Sequence, residues 1–145
     1  MSEISFGRYT SVLYRYNQII INHLLKPYGF GSGQYLFLLS ISNHKGVSQK
    51  DLTDHMNVDK ATTAKALSKL EKLGFIIRTK DETDRRFYKI YLSEKGIRFM
   101  PTLRAHLHQV SEIITKGMNE EQLHQTKELF ELMIQNAIQE VEQLK

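Results

Sequence analysis

Residues 80–86 read Lys-Asp-Glu-Thr-Asp-Arg-Arg, six charged side chains in seven positions. They separate Phe75-Ile76-Ile77 from the run Phe87-Tyr88-Lys89-Ile90-Tyr91-Leu92. A solvated turn needs only one or two polar residues, so this density asks for another use. Asp84 and Arg86 are two apart, and on extended backbone residues i and i+2 point to the same side. The carboxylate can then hold the guanidinium flat through paired hydrogen bonds. An arginine held in advance loses less entropy when it reaches an anionic target. Upstream, the segment Asp59–Leu73 sets Lys60, Thr62, Lys65, Ser68 and Lys69 among short side chains. Small residues between lysines suit close approach to base edges, with the lysines reaching phosphates or guanine acceptors.

Other chemistries find little support. The chain has no cysteine, which removes disulfides, thiolate metal sites, iron–sulfur clusters and cysteine nucleophiles together. No nucleophile elbow, phosphate-binding loop or His-Glu-x-x-His motif occurs, so no enzyme is expected. His106 and His108, two apart on a helix, lie on different faces and make no ready metal pair. His44 and His55 fall near loop or helix ends. No metal and no cofactor are therefore expected.

The charge is unevenly spread. The net charge is +4, made of about +2 over residues 1–43, +6 over 44–104 and −4 over 105–145. A basic middle suggests a polyanionic partner, and an acidic end suggests a separate task. At 145 residues with 41% hydrophobic residues, the chain is expected to be one ordinary domain or one compact protomer, with enough apolar material for a core. The longest unbroken apolar run, Ile19-Ile20-Ile21, is far too short to span a bilayer, and the start lacks a signal-peptide pattern. The expectation is a soluble, cytoplasmic protein with no membrane partner.

The elements that position these residues follow from periodicity. A first helix is predicted over Ser5–Lys26, from the repeat of Tyr9, Val12, Leu13, Tyr16, Ile19, Ile20, His23 and Leu24, with Pro27 and Gly29 as its stop. A second, Ser32–Asn43, is apolar nearly all round and should be central and buried. Ser48 with Asp51 marks a capped start, Asn57 suits a left-handed turn, and Asp59 begins a helix that Gly74 ends. This is a helix-turn-helix pattern. On its second helix Thr63, Ala66 or Leu67, Leu70 and Leu73 should face the protein. Beyond Gly74 the period becomes alternating, so residues 75–80 and 87–92 form a hairpin with the charged stretch at its tip. Ser93 and Gly96 open a long helix, with a kink expected at Pro101 and an end at Gly117. Asn119 with Gln122 opens the last, carrying Leu123, Phe130, Ile134, Ile138 and Val141.

A helix-turn-helix followed by a charged hairpin is a winged helix. Duplex DNA offers one groove wide enough for a helix and a narrower neighbour for a cationic loop. At this point residues 58–96, VDKATTAKALSKLEKLGFIIRTKDETDRRFYKIYLSEKG, resemble the recognition helix and wing of the MarR family of transcriptional regulators. The likeness rests on the LEKLGFI helix exit, the DETDRR tip, the alternating second strand and the SEKG turn. It implies a mainly α (α+β) fold: a winged helix-turn-helix lobe over 32–92, with dimerisation helices over 1–28 and 93–145. It also implies a homodimer reading a pseudo-palindrome in double-stranded DNA, with Arg86 in the minor groove, Asp84 as its partner and Thr62, Lys65 and Ser68 in the major groove. Many relatives bind small phenolic or lipophilic anions in a crevice between dimerisation helices and lobe. Tyr9, Tyr16, His23, Tyr35 and Phe37 are the candidate ligand contacts.

One position departs from the family pattern. Thr63 stands where these proteins often carry an aliphatic residue, so either its near-isosteric shape is tolerated or the helix is rotated. The resulting reading is a sequence-specific transcriptional regulator, with repression taken over activation. The rival is a winged-helix module that binds protein and not DNA.

Overall fold

The computed structural model describes residues 5–31 and 33–145. Ser32, the expected start of the second helix, lies outside them. In chain order the elements are α1 (Phe6–Leu25), a 3₁₀ turn (Lys26–Tyr28), α2 (Gln34–Asn43), β1 (Val47–Ser48), α3 (Gln49–Met56), α4 (Lys60–Lys72), β2 (Ile76–Lys80), β3 (Tyr88–Leu92), α5 (Glu94–Ile114) and α6 (Glu120–Leu144). The fold is mainly helical with a small antiparallel sheet, a winged helix-turn-helix.

Side chains that satisfy free backbone donors set the helix starts. Ser5 Oγ accepts from Arg8 N at 3.3 Å, Ser48 Oγ from Asp51 N at 3.0 Å and Asp59 Oδ1 from Thr62 N at 2.6 Å. At α6, Asn119 and Gln122 complete a reciprocal capping box, each side chain accepting from the other's backbone N–H at 2.9 Å. Between α3 and α4, Asn57 takes φ +52°, the left-handed geometry that asparagine tolerates. Pro101 lies inside α5 without ending it.

The sheet has the order β1-β3-β2. Its third strand, β1, is only two residues long and has no sequence signature. Ile90 sits at the centre, paired with Val47 on one side and Arg78 on the other. The described residues form two compact units, one ending at Val110 and the other running Ser111–Lys145. In the first, α2 is the buried centre: Tyr35, Phe37, Leu38 and Ile41 are enclosed with Leu52, Leu67, Leu70, Phe75, Ile90 and Leu103. Each fully buried aliphatic side chain contributes about 1.5–3 kcal/mol of transfer free energy, so this shared core holds the helix-turn-helix to the sheet. In the second unit, no residue of α6 is buried.

The joint between α4 and α5 is tightly built. Gly74, at φ +82°, turns the chain out of α4, and the N–H of Phe75 returns to the Leu70 carbonyl at 3.0 Å. Ser93 then donates its N–H to Phe75 O at 3.0 Å and its hydroxyl to Gly74 O at 2.6 Å. Gly96 is buried over the same Phe75 carbonyl, where a Cβ would collide with the oxygen. Gly96→Ala should therefore destabilise the protein by about 1–3 kcal/mol, as overpacking does. A lower urea midpoint with an unchanged denaturant slope is the expected readout.

Candidate nucleic-acid interface

The outward face of α4 carries Lys60, Thr62, Lys65, Ser68 and Lys69, all exposed, while Thr63, Ala66, Leu67 and Leu70 are buried. The helix therefore sits in the phase expected from its apolar spacing, with Leu73 half-buried at its end. Thr63 is 0% exposed and its hydroxyl is partnered. Thr63 Oγ1 lies 2.9 Å from the Thr53 hydroxyl, which donates to it, and donates to the Asp59 carbonyl at 3.2 Å. A buried hydroxyl costs little once it is hydrogen-bonded. Tolerance, and not rotation of the helix, explains the threonine.

The wing tip is held by its own side chains. Asp81 Oδ1 accepts from the Thr83 N–H at 2.9 Å and the Thr83 hydroxyl at 2.7 Å. Across the turn, Asp81 N donates to Phe87 O at 2.9 Å and Phe87 N to Asp84 O at 3.1 Å. Asp84 grips Arg86 at both oxygens: Nε donates to Oδ1 at 3.0 Å and Nη2 to Oδ2 at 2.7 Å. A third bond runs from Arg86 N to Oδ1 at 3.2 Å. The Arg86 side chain is still 82% exposed, against 34% for Asp84. The guanidinium is thus fixed in direction yet open to a partner. Arg85 is exposed next to it.

One bracing residue escaped the sequence reading. Arg78, on β2, pairs its Nε with Glu71 of α4 at 3.0 Å and directs Nη1 to Gln49 Oε1 of α3 at 3.4 Å. It ties the wing to both helices of the helix-turn-helix. Its signal was available: Arg78 shares the inward side of β2 with Ile76, and a part-buried cation needs a partner.

The five candidate ligand contacts divide. Tyr9, Tyr16 and His23 are exposed along α1, whereas Tyr35 and Phe37 are buried in the core. Burial raises the Tyr35 phenol above its ordinary range. Two clefts of about 250 and 380 Å³ open in the first unit, and none of the five residues lines either. Among the histidines, the rings of His44 and His55 lie 4.4 Å apart, and His106 Nε2 is 3.4 Å from the Tyr28 hydroxyl. Among the described residues no cluster of three or more His, Asp or Glu is placed to hold a metal ion. No helix among them is long and apolar enough to cross a membrane.

A buried-backed helix with a cationic outer face, beside a hairpin that presents a fixed guanidinium, defines a winged helix-turn-helix protein. The MarR family profile matches residues 31–87. An uncharacterised HTH-type transcriptional regulator of Bacillus subtilis, YybA, is 31% identical over 126 residues, covering 87% of this chain and 84% of its own. A MarR transcriptional regulator from Methanosarcina mazei Go1, of known crystal structure, is 37% identical with a TM-score of 0.88, over 92% of this chain and 96% of that one. A MarR family transcriptional regulator from Listeria monocytogenes, crystallised with a 26mer DNA, has a TM-score of 0.82 at 23% identity, over 92% of this chain and 89% of that one. This last likeness is one of fold. The chain belongs to the MarR family of transcriptional regulators.

The grip of Arg86 lowers the Asp84 carboxyl below the ordinary aspartate value. A carboxyl with a depressed folded value favours the bound form above the ordinary value and loses that contribution as pH falls through the depressed one. The brace should therefore be intact across neutral pH and open only in acid. A carbon-detected NMR titration of Asp84 should give a midpoint below that of aspartate in an unstructured peptide. In Arg86→Ala it should move back up towards the ordinary value.

Proposed function

We propose that the protein is a cytoplasmic repressor that binds a pseudo-palindromic operator as a homodimer. Each protomer lays α4 in a major groove and sends Arg86 into the adjacent minor groove. The observation that carries this reading is the two-oxygen grip of Asp84 on an exposed Arg86 at the wing tip. Such a grip stabilises nothing inside the core; its use is to aim a cation. A narrow A·T minor groove concentrates negative potential and attracts arginine. On α4, Thr62, Lys65 and Ser68 take base edges, and Lys60 and Lys69 take phosphates. The Listeria fold relative crystallised with DNA supports the same partner.

Dimerisation is supported by what the protomer leaves uncovered. On α6, Leu123, Phe130, Ile134 and Ile138 follow one side of the helix and are 37–52% exposed, and on α1 Tyr9, Tyr16 and Ile19 are 63–64% exposed. Apolar rows of this extent on two long helices call for a partner surface, and a second copy supplies one with matching chemistry. Release by a small aromatic or lipophilic effector is the remaining part of the reading. Tyr9, Tyr16 and His23, seven residues apart, share one exposed side of α1 and would meet such a ligand.

The wing decides the proposal. Arg86→Ala should weaken binding to a selected operator by about 1–3 kcal/mol per half-site, as for a lost specific contact. The loss should be larger on A·T-flanked than on G·C-flanked sites. Asp84→Ala should give a smaller defect of the same pattern, since it removes the brace and keeps the contact. Neither change should alter the melting temperature or the dimer, because the tip carries no core. Titration of both variants against the two operators is the measurement. Arg86→Ala binding both as tightly as the parent would remove the wing from DNA reading.

A further inference from the structure

Two histidines that sequence spacing could not pair are brought together by the fold. His44 follows the last turn of α2, and His55 lies in the last turn of α3. Their rings sit 4.4 Å apart, centre to centre, with planes tilted by 31°. Both residues are exposed, so solvent and solutes reach the pair. His44 Nδ1 lies 2.9 Å from the Ser40 carbonyl oxygen. A carbonyl only accepts, so a neutral His44 carries its proton on Nδ1 and keeps a lone pair on Nε2. His55 has no hydrogen-bond partner among the described residues, which leaves its ring nitrogens available.

Metal-binding histidines are commonly held as His44 is, with the second ring nitrogen donating to a backbone carbonyl. With metal–nitrogen bonds of about 2.0–2.1 Å, two imidazoles on adjacent positions of one ion have ring centres about 4.5–5 Å apart. The observed spacing lies at the short edge of that range. We infer that His44 and His55 form a two-imidazole seat for a first-row divalent ion of the zinc, nickel or copper kind, with water in the remaining positions. Imidazole suits these ions, whereas magnesium and calcium prefer oxygen. No third histidine or carboxylate among the described residues completes the set, so the bound ion stays open to solvent and exchanges.

The place of the seat gives the ion a lever on the helix-turn-helix. Directly after His55, the N–H groups of Asn57 and Val58 close the turn on the carbonyls of Asp54 and Thr53 at 3.2 and 3.4 Å. Asp59, the cap of α4, follows at once. An ion on both rings ties the end of α3 to the end of α2, a helix anchored in the core by Tyr35, Phe37, Leu38 and Ile41. It thereby stiffens the turn that sets α4. This inference does not depend on what α4 meets.

The experiment titrates zinc chloride into the full chain and follows histidine ring signals and amide hydrogen exchange by NMR. The variants are His44→Gln, His55→Gln and a control, His124→Gln, whose ring stands 3.1 Å from Glu128 on α6 and offers zinc a rival pair. In the parent, zinc should shift the His44 and His55 rings before any other histidine and slow exchange at Asn57 and Val58 severalfold. His44→Gln and His55→Gln should each abolish the slowing, and His124→Gln should keep it. Magnesium chloride at the same concentration should do nothing. Parent rings of His44 and His55 that stay unmoved with zinc in large excess would overturn the inference. So would slowing that survives in His55→Gln, slowing lost in His124→Gln, or an equal response to magnesium.

Discussion

The surface proposed to meet DNA hangs on the backbone pairing of Ile90. This residue is fully buried and lies at the middle of the short sheet, opposite Val47 on one side and Arg78 on the other. Val47 and Ser48 lead directly into α3, and Arg78 ties β2 to α3 and α4. One strand position therefore sets both the entry into the helix-turn-helix and the reach of the wing. A slip by one residue would turn Ile90 outward and move every side chain of β3 to the other face of the sheet. The apolar cost of exposing Ile90 guards against that slip. The charged tip, which has no core contacts of its own, inherits its position from this register.

Electrostatics in this surface work by placement more than by stability. The ion pairs here are part-exposed or exposed, and such pairs add little to folding. Asp84 and Arg86 form an exposed pair whose consequence is direction. Arg78 and Glu71 form a part-buried one whose consequence is the angle between wing and recognition helix. The same logic separates Asp81, which ties down Thr83 and stiffens the turn, from Asp84, which orients a cation. The tip, residues 80–86, carries three acids against three cations, so its effect on an anion depends on placement and not on net charge. Two of the acids are occupied in building the turn that carries Arg86.

Much of this was legible in the residues. Caps at Ser48, Asp59 and Asn119 are local hydrogen-bonding events, so sequence spacing was enough to place them. The inward phase of α4 followed from Thr63, Leu67 and Leu70, and the change from helical to alternating period marked the wing. What escaped depended on tertiary pairing. The two residues of β1 become a strand only because β3 is beside them. Arg78 finds Gln49 and Glu71 from distant stretches of chain. The aromatic candidates show the same boundary: Tyr9 and Tyr35 are alike as residues, yet one is open to solvent and the other enclosed. Residue type does not decide that; the neighbours do.

The central claim is geometric: the wing tip enters a minor groove beside the major groove that holds α4. The absence of cysteine from the chain allows a direct test. Glu82→Cys places a single thiol on the exposed tip, and an iron chelate attached there cuts the DNA backbone within reach of diffusing radicals. On a selected operator, minor-groove delivery should produce cuts offset towards the 3′ ends of the two strands, at two symmetric places outside the α4 sites. Cuts offset the other way, as from a major groove, or no localised cutting on an operator that the labelled protein still binds, would contradict it.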